Sequence, residues 1–154
     1  EITDRMFRDK MNQLGGRKVP DEEFDRAWNA MLLDFPSDRI ESMQKLKNHF
    51  NIYLLSNTSR LHAMYYHQVF KNNYGFDFNL LFTKPFYSFD LKLRKPAPEI
   101  FNAVLTSEGL IPSETIFIDD VEENIQAAKT LGIKTILHTR NETFVPYFDT
   151  LAQN

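Results

Sequence analysis

Short, unbroken apolar runs recur from residue 51 onward, and two of them end directly at polar residues. A run without polar alternation is typical of a strand that helices cover on both faces. The runs therefore predict four strands, at residues 52–55, 80–82, 115–118 and 135–137.

Segments with helical spacing lie between these runs, at residues 59–71, 98–108 and 121–131. Pro98 suits the first turn of the second of these helices, and a glycine follows both the second and the third. The alternation of strands and helices predicts an α/β domain with a mainly parallel sheet flanked by helices.

The beginning of the chain has a different texture, with helical periodicity and no strand-like run. Apolar side chains on one face of residues 1–11 predict an opening helix, which ends before the glycine pair at 15–16. The acidic run 21–23 favours the start of a second helix, and residues 37–50 have the spacing of a third.

Composition narrows the class of protein. The chain has 154 residues, with 18 Lys and Arg against 21 Asp and Glu, and no cysteine. This length suits one domain with a small appendage, and the charge balance gives no general attraction to nucleic acid or to acidic membranes. No apolar run approaches the roughly 18 residues of a membrane span. The lack of cysteine excludes disulfides and thiolate catalysis.

Two adjacent carboxylates, Asp119 and Asp120, follow the apolar run 115–118 and stand directly before a helix. Because adjacent carboxylates repel each other, a pair at a strand end calls for a cation or for hydrogen-bond donors. Mg²⁺, which prefers oxygen ligands, would neutralise both carboxylates. The alternative is an aspartate that caps the following helix beside a solvated neighbour.

Two further groups are candidates for binding phosphate. Ser56, Asn57 and Thr58 end the first run and open a helix, where hydroxyl, amide and backbone N–H groups either suit an anion or simply cap the helix. Lys95 stands before Pro96, which favours an extended lysine backbone. This lysine is either a fixed charge for phosphate or a solvated loop residue.

Together these residues resemble, in order, three motifs of the haloacid dehalogenase-like (HAD) superfamily of phosphohydrolases. Ser56 after its strand resembles motif II, Lys95-Pro96 resembles motif III, and the run 119–124 resembles the DDxxxN form of motif IV. Residues 55–62 and 94–96 look particularly like the subgroup that includes bacterial α-glucose-1-phosphate phosphatases. The resemblance implies a Rossmannoid parallel sheet flanked by helices, with a small helical cap.

The resemblance also implies a mechanism. In the family, an aspartate attacks phosphorus, a second aspartate acts as general acid and base, and water then hydrolyses the aspartyl-phosphate. Carried over to this chain, Ser56, Lys95 and Asp120 are the expected catalytic residues. Ser56, Asn57 and Lys95 are the expected contacts of the phosphate group.

The same resemblance implies a Mg²⁺ site. Asp120 would bind the ion directly, Asp119 would bind it or orient its waters, and Asn124 would support both carboxylates. The expected function is therefore a Mg²⁺-dependent phosphatase for a small phosphorylated metabolite, such as a sugar phosphate, in the cytoplasm. The alternatives are a 2-haloacid dehalogenase and a non-catalytic binding module of the same fold. Neither nucleic acid nor a membrane is an expected partner.

The chain departs from the family pattern in two places. The first motif, an Asp-x-Asp after a strand, is absent, so we expect it upstream of Glu1 together with the family's first strand, in about 40–60 further residues. Residues 1–35 would then be part of the cap and residues 36–154 a core without its first strand, and the chain alone would be inactive. The second departure is Lys92, where relatives commonly have glycine.

Overall fold

The computed structural model describes residues 3–138. In this part of the chain, helices and strands alternate after three initial helices. Their bounds are α1 Asp4–Leu14, α2 Asp21–Asn29, α3 Ser37–Leu46, β1 Tyr53–Ser56, α4 Arg60–Tyr74, β2 Lys84–Tyr87, α5 Ser88–Leu91, α6 Pro98–Glu108, β3 Ile116–Asp119, α7 Glu122–Thr130 and β4 Lys134–Leu137. None of these helices is long and apolar enough to cross a membrane.

The strands form two parallel ladders. β1 pairs with β2, so that Tyr53 lies opposite Lys84 and Ser56 opposite Tyr87. β3 pairs with β4 in the same way, and Asp119 lies opposite Leu137. The parallel pairing with intervening helices confirms the predicted α/β class, and three of the four predicted strands agree with the structure to within a residue.

The predicted strand at 80–82 is wrong. This apolar run belongs to a 3₁₀ turn at Phe78–Leu81, and the strand that pairs with β1 begins only at Lys84. The run is apolar because Leu81 and Phe82 fill the core, where they are 2% and 9% exposed. Asp77 stabilises the turn by accepting a hydrogen bond from the Asn79 backbone N–H at 2.8 Å. The apolar character of Leu81 and Phe82 therefore reflects burial here, and not extended backbone.

Each ladder has its own hydrophobic core. Helices α6 and α7 pack beside β3 and β4 through a cluster formed by Ile100, Phe101, Leu105, Ala128 and Ile133. A second cluster, formed by Ile40, Phe70, Leu81 and Phe82, joins α3 and α4 to the side of β1 and β2. The two cores hold the two ladders and therefore fix the strand ends at which polar residues follow.

The first two helices pack against each other, and α2 packs against α4. Arg8 of α1 donates two hydrogen bonds to the Asp25 carboxylate of α2, at 2.7 and 2.6 Å. Trp28 lies edge-on to Phe7 and stacks on the His62 ring of α4 at a centroid distance of 5.1 Å. His62 Nε2 also lies 3.1 Å from the Trp28 carbonyl oxygen. These contacts join the N-terminal helices to the helix that follows β1.

Candidate active site

Polar residues follow the carboxyl ends of β1 and β3, the strand ends at which parallel α/β sheets bind ligands. Ser56 is the last residue of β1, and Asn57 and Thr58 lead from it into α4. Asp119 is the last residue of β3, and Asp120 leads toward α7. The loop before α6 brings a lysine from a third direction.

That lysine, Lys95, forms a buried ion pair with Asp119. Its Nζ lies 2.6 Å from Asp119 Oδ2, and the two side chains are 10% and 7% exposed. The ammonium group also lies 5.3 Å from the centroid of the Phe117 ring. Because a charge removed from water needs a close partner of opposite sign, loss of either side chain would leave the other charge buried without compensation.

The second oxygen of Asp119 is also occupied. Oδ1 accepts hydrogen bonds from the Val121 backbone N–H at 2.9 Å and from Asn124 Nδ2 at 3.0 Å. Burial alone would raise the pKa of Asp119, but Lys95, Asn124 and the Val121 N–H hold that pKa below its ordinary value of 3.8. The carboxylate is therefore charged at neutral pH, and both of its oxygens already have partners.

The side chain of Asn57 holds the backbone of Lys95 at two points. Asn57 Nδ2 donates to the Lys95 carbonyl oxygen at 2.8 Å, and Asn57 Oδ1 accepts from the Lys95 N–H at 2.9 Å. The residue predicted to contact phosphate therefore has its amide group directed at the lysine loop. Its backbone N–H still lies directly after β1.

Ser88 is a residue of this region that the sequence did not single out. Its hydroxyl accepts a hydrogen bond from the Thr58 N–H and donates one to the Thr58 carbonyl oxygen, both at 3.1 Å. Ser88 can do this because it follows Tyr87, which lies opposite Ser56 in the ladder. From sequence, it looks like an ordinary serine at a helix start. The strand register is the signal that would have revealed it.

Two predicted site residues have no such contacts. Within residues 3–138, neither the Ser56 hydroxyl nor the Asp120 carboxylate has a hydrogen-bond or ion-pair partner. Asp120 is exposed and Ser56 is half-buried. The structure thus brings Asn57, Lys95 and Asp119 into direct contact, and leaves these two groups free for a ligand.

The donor set can be compared with what Mg²⁺ requires. Carboxylate oxygens are suitable ligands, and that of Asp120 is available, whereas Asp119 would have to share an oxygen with Lys95. The described residues contain no group of three or more acidic, histidine or cysteine side chains placed to hold a metal. The chemistry of the pair fits a hard cation, provided that water, substrate or another part of the protein completes its coordination.

The family model for haloacid dehalogenase-like hydrolases matches residues 22–138. The match covers well over half of the chain and includes every residue of the site just described. The chain belongs to the haloacid dehalogenase-like hydrolase family, and the resemblance inferred from the three motifs is confirmed.

Particular relatives narrow the comparison. D-ribitol-5-phosphate phosphatase from Bacteroides thetaiotaomicron is 33% identical over 129 residues, which is 84% of this chain but 63% of that protein. A HAD family enzyme from the same species, solved with magnesium and inorganic phosphate, is 37% identical with a TM-score of 0.90, over 96% of this chain and 74% of its own.

A HAD-like hydrolase from Porphyromonas gingivalis has the same fold at 23% identity, with a TM-score of 0.90 over 99% of this chain and 74% of its own. The chain thus spans less than two thirds of the length of the ribitol-5-phosphate phosphatase that it matches.

Proposed function

We propose that this chain belongs to a Mg²⁺-dependent phosphomonoesterase for a small phosphorylated polyol or sugar. The observation that carries the proposal is the buried Lys95–Asp119 pair. Along the chain, the free Ser56 hydroxyl precedes this pair and the free Asp120 carboxylate follows it, which is the order of the motifs. The name of the ribitol-5-phosphate phosphatase and the magnesium and phosphate in the related enzyme support the same function.

In this proposal, the phosphate group is bound after β1 and beside Lys95. The Ser56 hydroxyl and the Asn57 backbone N–H donate to phosphate oxygens. The Lys95 ammonium offsets negative charge on the phosphate and on the attacking carboxylate, and its burial strengthens that effect. The charge and the donors are held in place before the substrate arrives.

Asp120 holds Mg²⁺ in this proposal, with Asp119 binding it or orienting its waters and Asn124 fixing Asp119. When bound, the ion neutralises charge on the phosphate oxygens. Asp119 also pairs with Lys95 at 2.6 Å, so one carboxylate serves both the lysine and the metal site.

The nucleophile is proposed to lie outside the described residues, in a segment that precedes Glu1. A carboxylate oxygen forms a bond to phosphorus as the bond from phosphorus to the alcohol oxygen breaks, and an acid protonates the alcohol. Water then releases inorganic phosphate and restores the carboxylate. Within residues 3–138, β1 and β3 each pair with one strand, so each has an edge at which a further strand could add. This supports the division into a partial cap at 1–35 and a core at 36–154 without its first strand.

The test is phosphate release by the complete protein, with its upstream segment, from a panel of sugar and polyol phosphates with Mg²⁺. We expect turnover that EDTA abolishes, and loss of turnover in Lys95→Met and Asp120→Ala variants that circular dichroism shows to be folded. Normal activity in either variant would contradict the assignment. Chloride release from 2-haloacids that resists EDTA would replace it with a dehalogenase.

A further inference from the structure

The site contains one contact whose purpose is not explained by substrate binding. Asn57 comes directly after Ser56, where its amide could reach a phosphate group, yet both polar atoms of that amide bind the backbone of Lys95. Lys95 lies 38 residues later in the chain, so these two hydrogen bonds join the end of β1 to the loop before α6. Both polar atoms of the amide are thus held by one peptide unit of the lysine loop, and only the second Nδ2 hydrogen is not used by these two bonds.

We infer that Asn57 is a positioning residue, whose side chain sets the place of the Lys95 ammonium group and does not itself bind substrate. The two hydrogen bonds hold the N–H and the carbonyl of one residue, which fixes the direction in which its side chain leaves the backbone. That side chain reaches Asp119 at 2.6 Å and is 10% exposed, so little room exists for a second placement. A lysine has four flexible bonds, and an anchored backbone limits how many of its rotamers can reach the pair.

The chain offers a matched control in its first helix. Asn12 makes the same kind of double contact with one backbone residue: its Oδ1 accepts from the Val19 N–H at 3.1 Å, and its Nδ2 donates to the Val19 carbonyl at 3.5 Å. Asn12→Leu therefore removes a comparable pair of hydrogen bonds away from Lys95. Asn57→Leu is the corresponding change at the site, with a side chain of similar size.

The first experiment does not depend on catalysis. Unfolding by urea is measured for the complete protein carrying Asn57→Leu, Lys95→Met or both, and for the same cycle with Asn12→Leu. If Asn57 acts through Lys95, Asn57→Leu should raise the equilibrium constant of unfolding more when Lys95 is present than when it is replaced by methionine. The ratio of the two increases, which measures the coupling, should be about fivefold or more. Asn12→Leu should show no coupling. Additive effects in both cycles would mean that Asn57 is merely structural, which overturns the inference.

The second experiment rests on the proposed phosphatase function. Asn57→Leu should lower kcat by about 100-fold, as a misplaced catalytic charge does, with KM nearly unchanged. Asn12→Leu should leave kcat unchanged. A raised KM with normal kcat would show that Asn57 binds substrate, which overturns the inference. If the unsubstituted protein releases no phosphate from any substrate, the proposed function fails, and the unfolding cycle alone decides the role of Asn57.

Discussion

Two ion pairs in this protein have the same length and opposite surroundings. The nitrogen–oxygen distance is 2.6 Å in both Lys95–Asp119 and Lys84–Glu108. The first pair is at most 10% exposed, whereas the Lys84 side chain is 50% exposed. The exposed lysine can exchange its partner for water, and the buried one cannot. Despite their equal distances, Lys95–Asp119 is expected to matter for stability, whereas Lys84–Glu108 could be lost with little effect.

The largest effect is expected from breaking the buried pair on one side. Lys95→Met leaves the Asp119 charge buried without its partner, and should lower the free energy of unfolding by about 3–5 kcal/mol. Chemical denaturation of the complete protein measures this. Adding Asp119→Asn to Lys95→Met should restore part of the loss, since no uncompensated charge then remains. A single variant as stable as the parent would mean that the pair is not buried in solution.

The pH dependence of stability should follow the same pair. The pKa of Asp119 is lower in the folded protein than its ordinary value of 3.8, so its stabilising effect is complete above that value. As the pH falls through the folded pKa, the carboxylate takes up a proton and the effect is lost. Urea midpoints between pH 7 and pH 3 should therefore fall less in the Lys95→Met, Asp119→Asn double variant than in the parent. Parallel pH curves would show that other carboxylates dominate.

A smaller effect, of the opposite sign, is expected at the start of the lysine loop. Lys92 has a φ of 56°, the left-handed region in which a side chain is strained. Lys92→Gly should raise the free energy of unfolding by about 1 kcal/mol and leave the buried pair intact. The matched control is Lys45→Gly in α3, where the same substitution lies in a helix and should destabilise by about 1 kcal/mol. Destabilisation by both changes would show that glycine is not favoured at position 92.

The smallest effect is expected from the exposed pair. Lys84→Met should change the stability little, because water replaces the lost partner of Glu108. Unfolding in low and high salt sharpens the contrast: screening should alter the small contribution of Lys84 and leave that of Lys95 nearly constant. A large loss in Lys84→Met would point to its contact with the Phe86 ring, which lies 5.0 Å from the ammonium.

Much of the fold could be predicted, because buried strands leave a direct record in the sequence. The runs that became β1, β3 and β4 are continuous and apolar, as a strand covered on both faces must be. The second strand was predicted too early, at 80–82, because β2 contains Lys84 and Pro85, two residue types that argue against a strand. Its position explains the exception: among the described residues, β2 pairs with β1 alone, so an unpaired edge tolerates a residue without an N–H.

The candidate site could be predicted at the level of residue types and less well at the level of contacts. Lys95 and Asp119 were named together because the motif order linked them, and they are in contact. The Asn57–Lys95 and Thr58–Ser88 contacts join residues 38 and 30 positions apart. No local pattern reports such a contact, because it depends on how the two halves of the core orient the loops. Asp120 remains a predicted metal ligand.

Because Trp28 stacks on His62, tryptophan fluorescence can follow the position of the N-terminal helices. The chain has one tryptophan, and it lies where α2 meets α4. Its emission therefore comes from a single junction, where the indole ring stacks on the His62 ring. Separation of the helical segment from α4 should change that emission even while circular dichroism still reports intact helices. The intrinsic fluorescence of Trp28 thus reports on this junction without an added dye.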